Sequence, residues 1–366
     1  MRTRHSDAGF SLMELLAATA IALMVIGTAM TTFKDAVGMT GTTSDLADTS
    51  QNLRGGTNFL IHDLVLAGRG IPIGGIPIPS GAGAGPILRP SPPGMSYAFD
   101  NVGATTLTAL TSGSGLGPAI NGQSTDIVTI LTIDPILDSC LGAPLSAKPV
   151  GTSGNVPVMA ADGASLSVGT DVGCVDPSGG TWIAGSTTQA PVKKGDLLLF
   201  TDPNGRNAIQ TVTSTDATTL YFAQNADDTF GFNQPGAEAG TITPLLGDAL
   251  SVQRVVMYTY YLDPNNGTPR LMRRYNMATP QALAGVVEDL QLSFDLVDGV
   301  ANPTNVPDLP YTSAMGVTYS ANQIRKVSVQ IGVRSERWST RLHDYLRNHL
   351  STVVSIRNLA YVDRYQ

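Results

Sequence analysis

Residues able to carry chemistry are few and scattered. The four histidines are His5, His62, His343 and His349, and none belongs to an H-x-x-x-H pair or to a Cys/His cluster of the kind that holds zinc. His343 and His349 bracket Asp344 in RLHDYLRNHL, at a spacing that does not share a helical face. No G-x-S-x-G elbow, S-x-x-K nucleophile motif or Walker loop is present. Gly81-Ala82-Gly83-Ala84-Gly85 lacks the preceding strand, following helix and acidic partner that let a glycine loop hold phosphate, and it reads as a turn. Asp202-Pro203-Asn204-Gly205 and Asp263-Pro264-Asn265-Asn266-Gly267 offer oxygen ligands for calcium, but without EF-hand spacing or a closing glutamate they too read as turns. Arg270, Arg273 and Arg274, with Arg325, Lys326, Arg334, Arg337 and Arg341, bias the last third towards positive charge on a chain of net charge -7. An anion- or DNA-contacting face needs these to cluster in space. Catalytic residues, a metal site and a cofactor are therefore not expected, and the chain does not read as an enzyme.

One carboxylate stands out by its surroundings. Glu14 interrupts GFSLMELLAATAIALMVIGTAMTTF, Gly9 to Phe33, an apolar run without proline. As a helix, Phe10 to Phe33 would extend about 36 Å, enough to cross a hydrocarbon core of roughly 30 Å. Arg2, Arg4 and His5 precede it, and Lys34 and Asp35 after it cancel, so the N-terminus is expected in the cytoplasm and the rest outside. A secretory signal would be shorter, although Ala18-Thr19-Ala20 and Ala20-Ile21-Ala22 offer cleavage sites. A plain membrane anchor explains length and flanks but leaves Glu14, at roughly 2–3 kcal/mol for an ionisable group in a span, without a task.

A third reading gives it one. Gly9-Phe10-Ser11-Leu12-Met13-Glu14-Leu15 resembles the processing motif of type IV prepilins and related pseudopilins. The resemblance implies that a leader, Met1 to Gly9, is cut after the glycine by a membrane-embedded prepilin peptidase. Phe10 then becomes the N-methylated first residue, and Glu14 pairs with the terminal amine of a neighbouring subunit during assembly. The physical reading agrees: a glycine lets a protease approach the backbone closely. Glu14 lies four residues after Phe10, in a first turn where the helix dipole favours an anion.

Beyond the span, helix character continues from Lys34 to about Gly68, with Leu46, Leu53, Leu60 and Leu64 on one stripe. Gly55-Gly56 is expected to bend or break it, at about 1 kcal/mol per glycine relative to alanine. Gln51 to Gly70, ending in Asp63-Leu64-Val65-Leu66-Ala67-Gly68, is similar to the corresponding region of PilW-like minor pilins. Residues 70–100 are dense in Pro and Gly and predict an extended connection.

Strands follow at Thr105–Thr111, Asp126–Ile133, Leu197–Phe200, Ser251–Leu262, Arg270–Tyr275 and Ser351–Leu359. Leu290, Leu292, Phe294 and Leu296, and then Val327, Val329, Ile331 and Val333, alternate with polar residues and predict half-buried strands. Cys140 and Cys174, on the extracytoplasmic side, are expected to form a disulfide stapling an insertion at about 135–194; two separate buried thiols are the alternative. The segments GDLLLFTDPNG, GVVEDLQLSFDL, IRKVSVQIGVRSE and STVVSIRNL resemble the head of PilW-like minor pilins and, more loosely, J-type pseudopilins.

The expected fold is α+β. A long N-terminal helix, with a membrane or filament-core half at 10–33 and an amphipathic half at 34–69, packs on an antiparallel β-rich head at 101–366. The resemblance implies a minor type IV pilin that helps initiate or cap a pilus; the alternatives are a J-type pseudopilin of type II secretion, or a membrane-anchored extracytoplasmic binding module or enzyme. Thr31 stands where many major pilins carry a helix-loosening proline. The implied partners are prepilin peptidase, other minor and major pilins, the inner-membrane platform protein and the motor ATPase. The implied location is the inner membrane with a periplasmic head, and then the pilus at the cell surface.

Overall fold

The computed structural model describes residues 11–366 apart from 73, 81–83, 100–104, 135–144, 150–156, 169–191, 217–218, 237, 265–266, 340–342, 357 and 360–366. One helix, α1 (Leu12–Leu66, 55 residues), precedes a β-rich remainder, so the α+β expectation holds at that level. Ser11 caps α1 by a reciprocal pair: its Oγ accepts from the Glu14 amide at 3.2 Å, and the Ser11 amide donates to Glu14 Oε2 at 3.0 Å. Two amides that the helix itself leaves without partners are thereby satisfied. At the other end Gly68 turns through φ +75°, and its amide donates to Leu131 O at 2.9 Å.

The longer strands of the head include β1 (Val128–Ile133), β2 (Leu197–Thr201), β3 (Asn207–Thr211), β4 (Leu250–Asp263), β5 (Arg270–Tyr275), β6 (Gln281–Ala284), β7 (Val287–Leu296), β8 (Ile324–Ser339) and β9 (Asp344–Ser355). β4 is the spine of the larger sheet. One flank takes β2, with Leu197 opposite Val255, and then β5, with Tyr258 opposite Tyr275. The other takes Leu145–Ala147 and then β1, with Tyr260 opposite Val128. The second sheet runs β7–β8–β9, antiparallel throughout, with Phe294 opposite Val327 and Val327 opposite Val354.

The second half of α1 lies between these sheets. Leu53, Leu60 and Leu64 join Tyr260, Leu262, Leu271 and Ala284 of the larger sheet and Leu290, Val329 and Ile331 of the smaller one in a single core. Leu46, on the same stripe, is 42% exposed and does not join that core.

The expected break at Gly55-Gly56 does not occur; α1 is continuous through both residues. Packing explains it. A Cβ on Gly56 would lie 2.7 Å from Ala284 Cβ and 3.1 Å from Leu271 Cδ2, whereas one on Gly55 would meet nothing within 4 Å. Gly56 is thus a point of close approach between helix and sheet, where burial offsets the local propensity cost.

Other expectations shift at their edges. Thr105–Thr111 is two short strands, Thr106–Leu107 and Leu110–Thr111, in different sheets. The last strand begins at Asp344 rather than Ser351, so RLHDYLRNHL enters a strand. Within 135–194, the described parts are not an appendage: Leu145, Met159, Leu166 and Val192 share a core with Phe200, Val212 and Leu220. Their strands are only two or three residues long, too short to show periodicity. Cys140 and Cys174 lie outside the described residues.

The Pro/Gly-rich connection lies against the head, burying Ile76, Ile78 and Ile87 with Leu199, Val255 and Met257. Arg89 staples it down. Its buried guanidinium donates to Thr129 Oγ1, Ser112 O, Thr111 O and Ile127 O at 2.7–3.2 Å, and burial lowers it to about 10.

The two adjacent glycines yield opposite expectations. Gly55→Ala should raise stability by about 0.5–1 kcal/mol, while overpacking should leave Gly56→Ala about 1–3 kcal/mol below it. Urea denaturation of the full chain in detergent micelles measures both; equal effects would mean that the helix does not approach the sheet at Gly56.

Candidate functional site

The part of the molecule poised to act outside itself is the first half of α1. Residues 11–41 are exposed along their whole length, including Leu12, Met13, Leu23, Met24, Met30 and Phe33, each at least 70% exposed. This stem is long and apolar enough to cross a membrane. Its polar atoms are largely satisfied from within. Thr28, Thr32, Thr40, Thr42 and Thr43 each donate a hydroxyl to the carbonyl four residues back, at 2.9–3.2 Å. A segment facing hydrocarbon needs that, since no water is there to take those hydroxyls.

Glu14 is the one acidic group near the tip. Its side chain turns back to the Ser11 amide, and among the described residues it meets no cation of its own chain. Gly9 and Phe10 lie outside the described residues.

The opposite end of α1 is held by a buried clamp. Asp63 is 3% exposed. Its Oδ2 accepts from Tyr260 Oη at 2.5 Å, from Arg273 Nε at 2.9 Å and from Arg273 Nη2 at 2.8 Å. Oδ1 faces His62 Nδ1 at 3.2 Å. Arg273 also lies flat on Tyr258, 3.8 Å from the ring centre, a cation–π contact. Burial works against the Arg273 cation, but Tyr260, Asp63 and Tyr258 outweigh it and hold the guanidinium above its ordinary value. Burial, and then the Asp63 charge, push the Tyr260 hydroxyl far up, so it stays a donor. Asn358 completes the joint by donating to Ala67 O at 3.0 Å.

This joint was visible in sequence only as the ending Asp63 to Gly68. The missed signal was an acid between Leu60 and Leu64 on a buried stripe, which demands a cationic or hydroxylic partner from elsewhere. The arginine-bearing, aromatic strands β4 and β5 supplied both.

The remaining candidates are drawn into the fold. Arg274 donates to Ser91 O, Ala278 O and Met277 O, and Arg334 pairs with Glu288 at 2.8 Å while covering the Tyr345 ring. These two arginines and Arg273 are internal ties, not a free anion-binding face; Arg341 lies outside the described residues. Both Asp202 oxygens face N–H donors, with Oδ1 accepting from the Asn204 and Arg206 amides and Oδ2 from Arg206 Nε at 2.6 Å. That arrangement closes a turn rather than presenting oxygen to a cation. Asn265 and Asn266 of the second candidate turn lie outside the described residues. No group of three metal-ligating side chains occurs among the described residues. Where α1 leaves the head, a groove of about 570 Å³ opens, with Asp45 and Asp48 on the helix and Arg270 and Arg337 on the head.

Comparison with protein-family models, with curated proteins and with solved structures finds no match to the chain.

The clamp makes a measurable claim. Asp63→Ala should destabilise the full chain by about 3–5 kcal/mol by leaving Arg273 buried and unpaired. Asp63→Leu combined with Arg273→Met should recover most of that loss. A double-mutant cycle by urea denaturation in micelles should give a coupling of about 1–3 kcal/mol; additive single effects would show that the two side chains do not act as a pair.

Proposed function

We propose that this chain is a structural subunit of a type IV filament, a minor pilin of the PilW-like kind, and that it has no catalytic activity. The observation that carries the reading is the division of α1. One half is sunk between two sheets and clamped by Asp63, while the other stands clear of the head with an apolar surface and a single carboxylate near its tip.

A plain anchor needs only the apolar surface. A subunit that moves from a membrane into a filament core needs three things: a stem acceptable to both environments, a rigid link to its head, and a charge to mark the docked position. Glu14, near the tip of the stem and without a cation of its own chain, has the chemistry for the third task. The free amine that leader removal would create on Phe10 of a neighbouring subunit is its natural partner, since a buried carboxylate is tolerable only when paired. Before assembly the stem would cross the inner membrane with the head in the periplasm; afterwards the chain would be part of a pilus at the cell surface. Prepilin peptidase, other minor and major pilins, the platform protein and the motor ATPase would be its partners. A disulfide between Cys140 and Cys174 belongs to the same reading, as the oxidising compartment favours it.

Mass spectrometry of the N-terminus from peptidase-competent cells should find methyl-Phe10 as the first residue; a chain retaining residues before Phe10 there would refute the pilin assignment. Glu14→Ala should leave cleavage intact while lowering incorporation into filaments at least about tenfold, the minimum expected when a buried charge loses its partner. Normal incorporation would remove the amine-pairing role.

A further inference from the structure

The smaller sheet ends in an edge that the fold leaves unused. β9 pairs with β8 along one side from Asp344 to Ser355, and among the described residues no strand pairs with its other side. The register fixes which backbone groups lie there. The Ile356 amide donates to Arg325 O at 3.2 Å, and the pairing continues unshifted from Lys326 opposite Ser355 to Arg334 opposite Arg347. In an antiparallel ladder the amide and carbonyl of one residue point to the same side, and the side alternates along the strand. Even-numbered residues of β9 therefore bond to β8, and His349, Ser351, Val353 and Ser355 turn theirs outward. Consistent with this phase, the Tyr345 amide is taken by its neighbour's side chain, Asp344 Oδ1, at 2.7 Å.

Exposed edges ordinarily carry guards such as proline, lysine, a bulge or an inward charge. Asn348 to Ser355, NHLSTVVS, has no Pro, Gly, Lys, Arg, Asp or Glu. The one register shift of this pair lies between Arg334 and Trp338, outside that stretch. The side chains form two rows: Leu350 and Val354 continue the core beneath α1, while Ser351 and Val353 stand on the opposite face, Val353 57% exposed. On that face His349 lies over Gly332, whose missing Cβ leaves room for the ring.

We propose that this edge is a docking site for one extended strand of a different protein, uncharged, with apolar residues facing the α1 side alternating with small hydroxyl or apolar residues on the other. Main-chain hydrogen bonds would supply affinity and the two rows register. A second copy of the same edge does not fit, an argument that rests on the membrane-anchored reading of α1. Two identical edges pairing antiparallel are related by a two-fold axis perpendicular to the sheet. Because α1 lies along the sheet face, that axis would point the two stems in opposite directions, which two chains anchored in one membrane cannot adopt. A parallel two-fold would set each outward residue against itself, out of step with a parallel ladder.

A free peptide escapes the anchoring constraint, so a synthetic peptide of sequence Asn348 to Ser355, capped at both ends, serves as probe; centred on Thr352, antiparallel pairing sets Leu350 against Val354 and Ser351 against Val353. The experiment is hydrogen exchange of the full chain in detergent micelles with and without the peptide. The His349, Ser351 and Val353 amides should exchange at least about tenfold more slowly with peptide present. Ser351→Pro should abolish that protection without lowering the melting temperature appreciably, because it removes an outward N–H and no ladder bond. Unchanged exchange at these amides, or protection elsewhere only, would overturn the proposal. Protection without peptide that rises with protein concentration would overturn it in favour of a second copy. An uncut N-terminus would defeat the filament reading and leave this measurement unaffected.

Discussion

A carboxylate sealed between a helix and a sheet holds the two halves of this molecule in one orientation. Apolar contact along the stripe Leu53, Leu60 and Leu64 is strong but nearly indifferent to a slide of one turn. Asp63 is not indifferent. Displaced from Tyr260 and Arg273 it would be a buried charge without partners, and the low local dielectric that strengthens the paired state makes the unpaired one costly. The hydrophobic stripe thus supplies most of the attachment, and the clamp selects its position.

The rest of α1 acquires its properties from that attachment. Gly56 lets the helix sit close to β5 and β6, at Leu271 and Ala284, and Gly68 turns the chain away into the wrap. What emerges from the head is a stem whose direction is set by a rigid joint. A 55-residue helix is about 80 Å long, and only its second half contributes to the core. The first half has a surface suited to apolar surroundings and hydroxyls already bonded to its own backbone.

Buried polar groups of the head such as Arg89, Asp126 and Asp63 are held by hydrogen bonds. Asp126 accepts from the Gly115 and Leu292 amides and so ties the two sheets together. Under the proposed reading, the stem and the β9 edge are the surfaces at which this chain would meet others.

Local patterns in the sequence determined the elements whose signal is periodic. The apolar run and the Leu53–Leu60–Leu64 stripe produced α1. Strict alternation produced β7 and the first part of β8, and the Pro/Gly density of residues 70–100 limited regular structure there to the two-residue strands Ile76–Pro77, Leu88–Arg89 and Tyr97–Ala98. Glu14 was legible because a charge inside an apolar helix is anomalous by itself. Tertiary structure alone decided the continuity of α1 at Gly55-Gly56, since propensity counts each glycine as a cost and only packing shows that one of them fits against Ala284. It decided the partners of Asp63, which lie on β4 and β5, more than 190 residues away in the chain. The short strands Leu145–Ala147, Val158–Met159 and Ser165–Ser167 of the second core, two or three residues long, were likewise beyond local reading. Periodicity records which face of an element is buried, but what that face is buried against depends on contacts between distant parts of the chain, and no local pattern contains them.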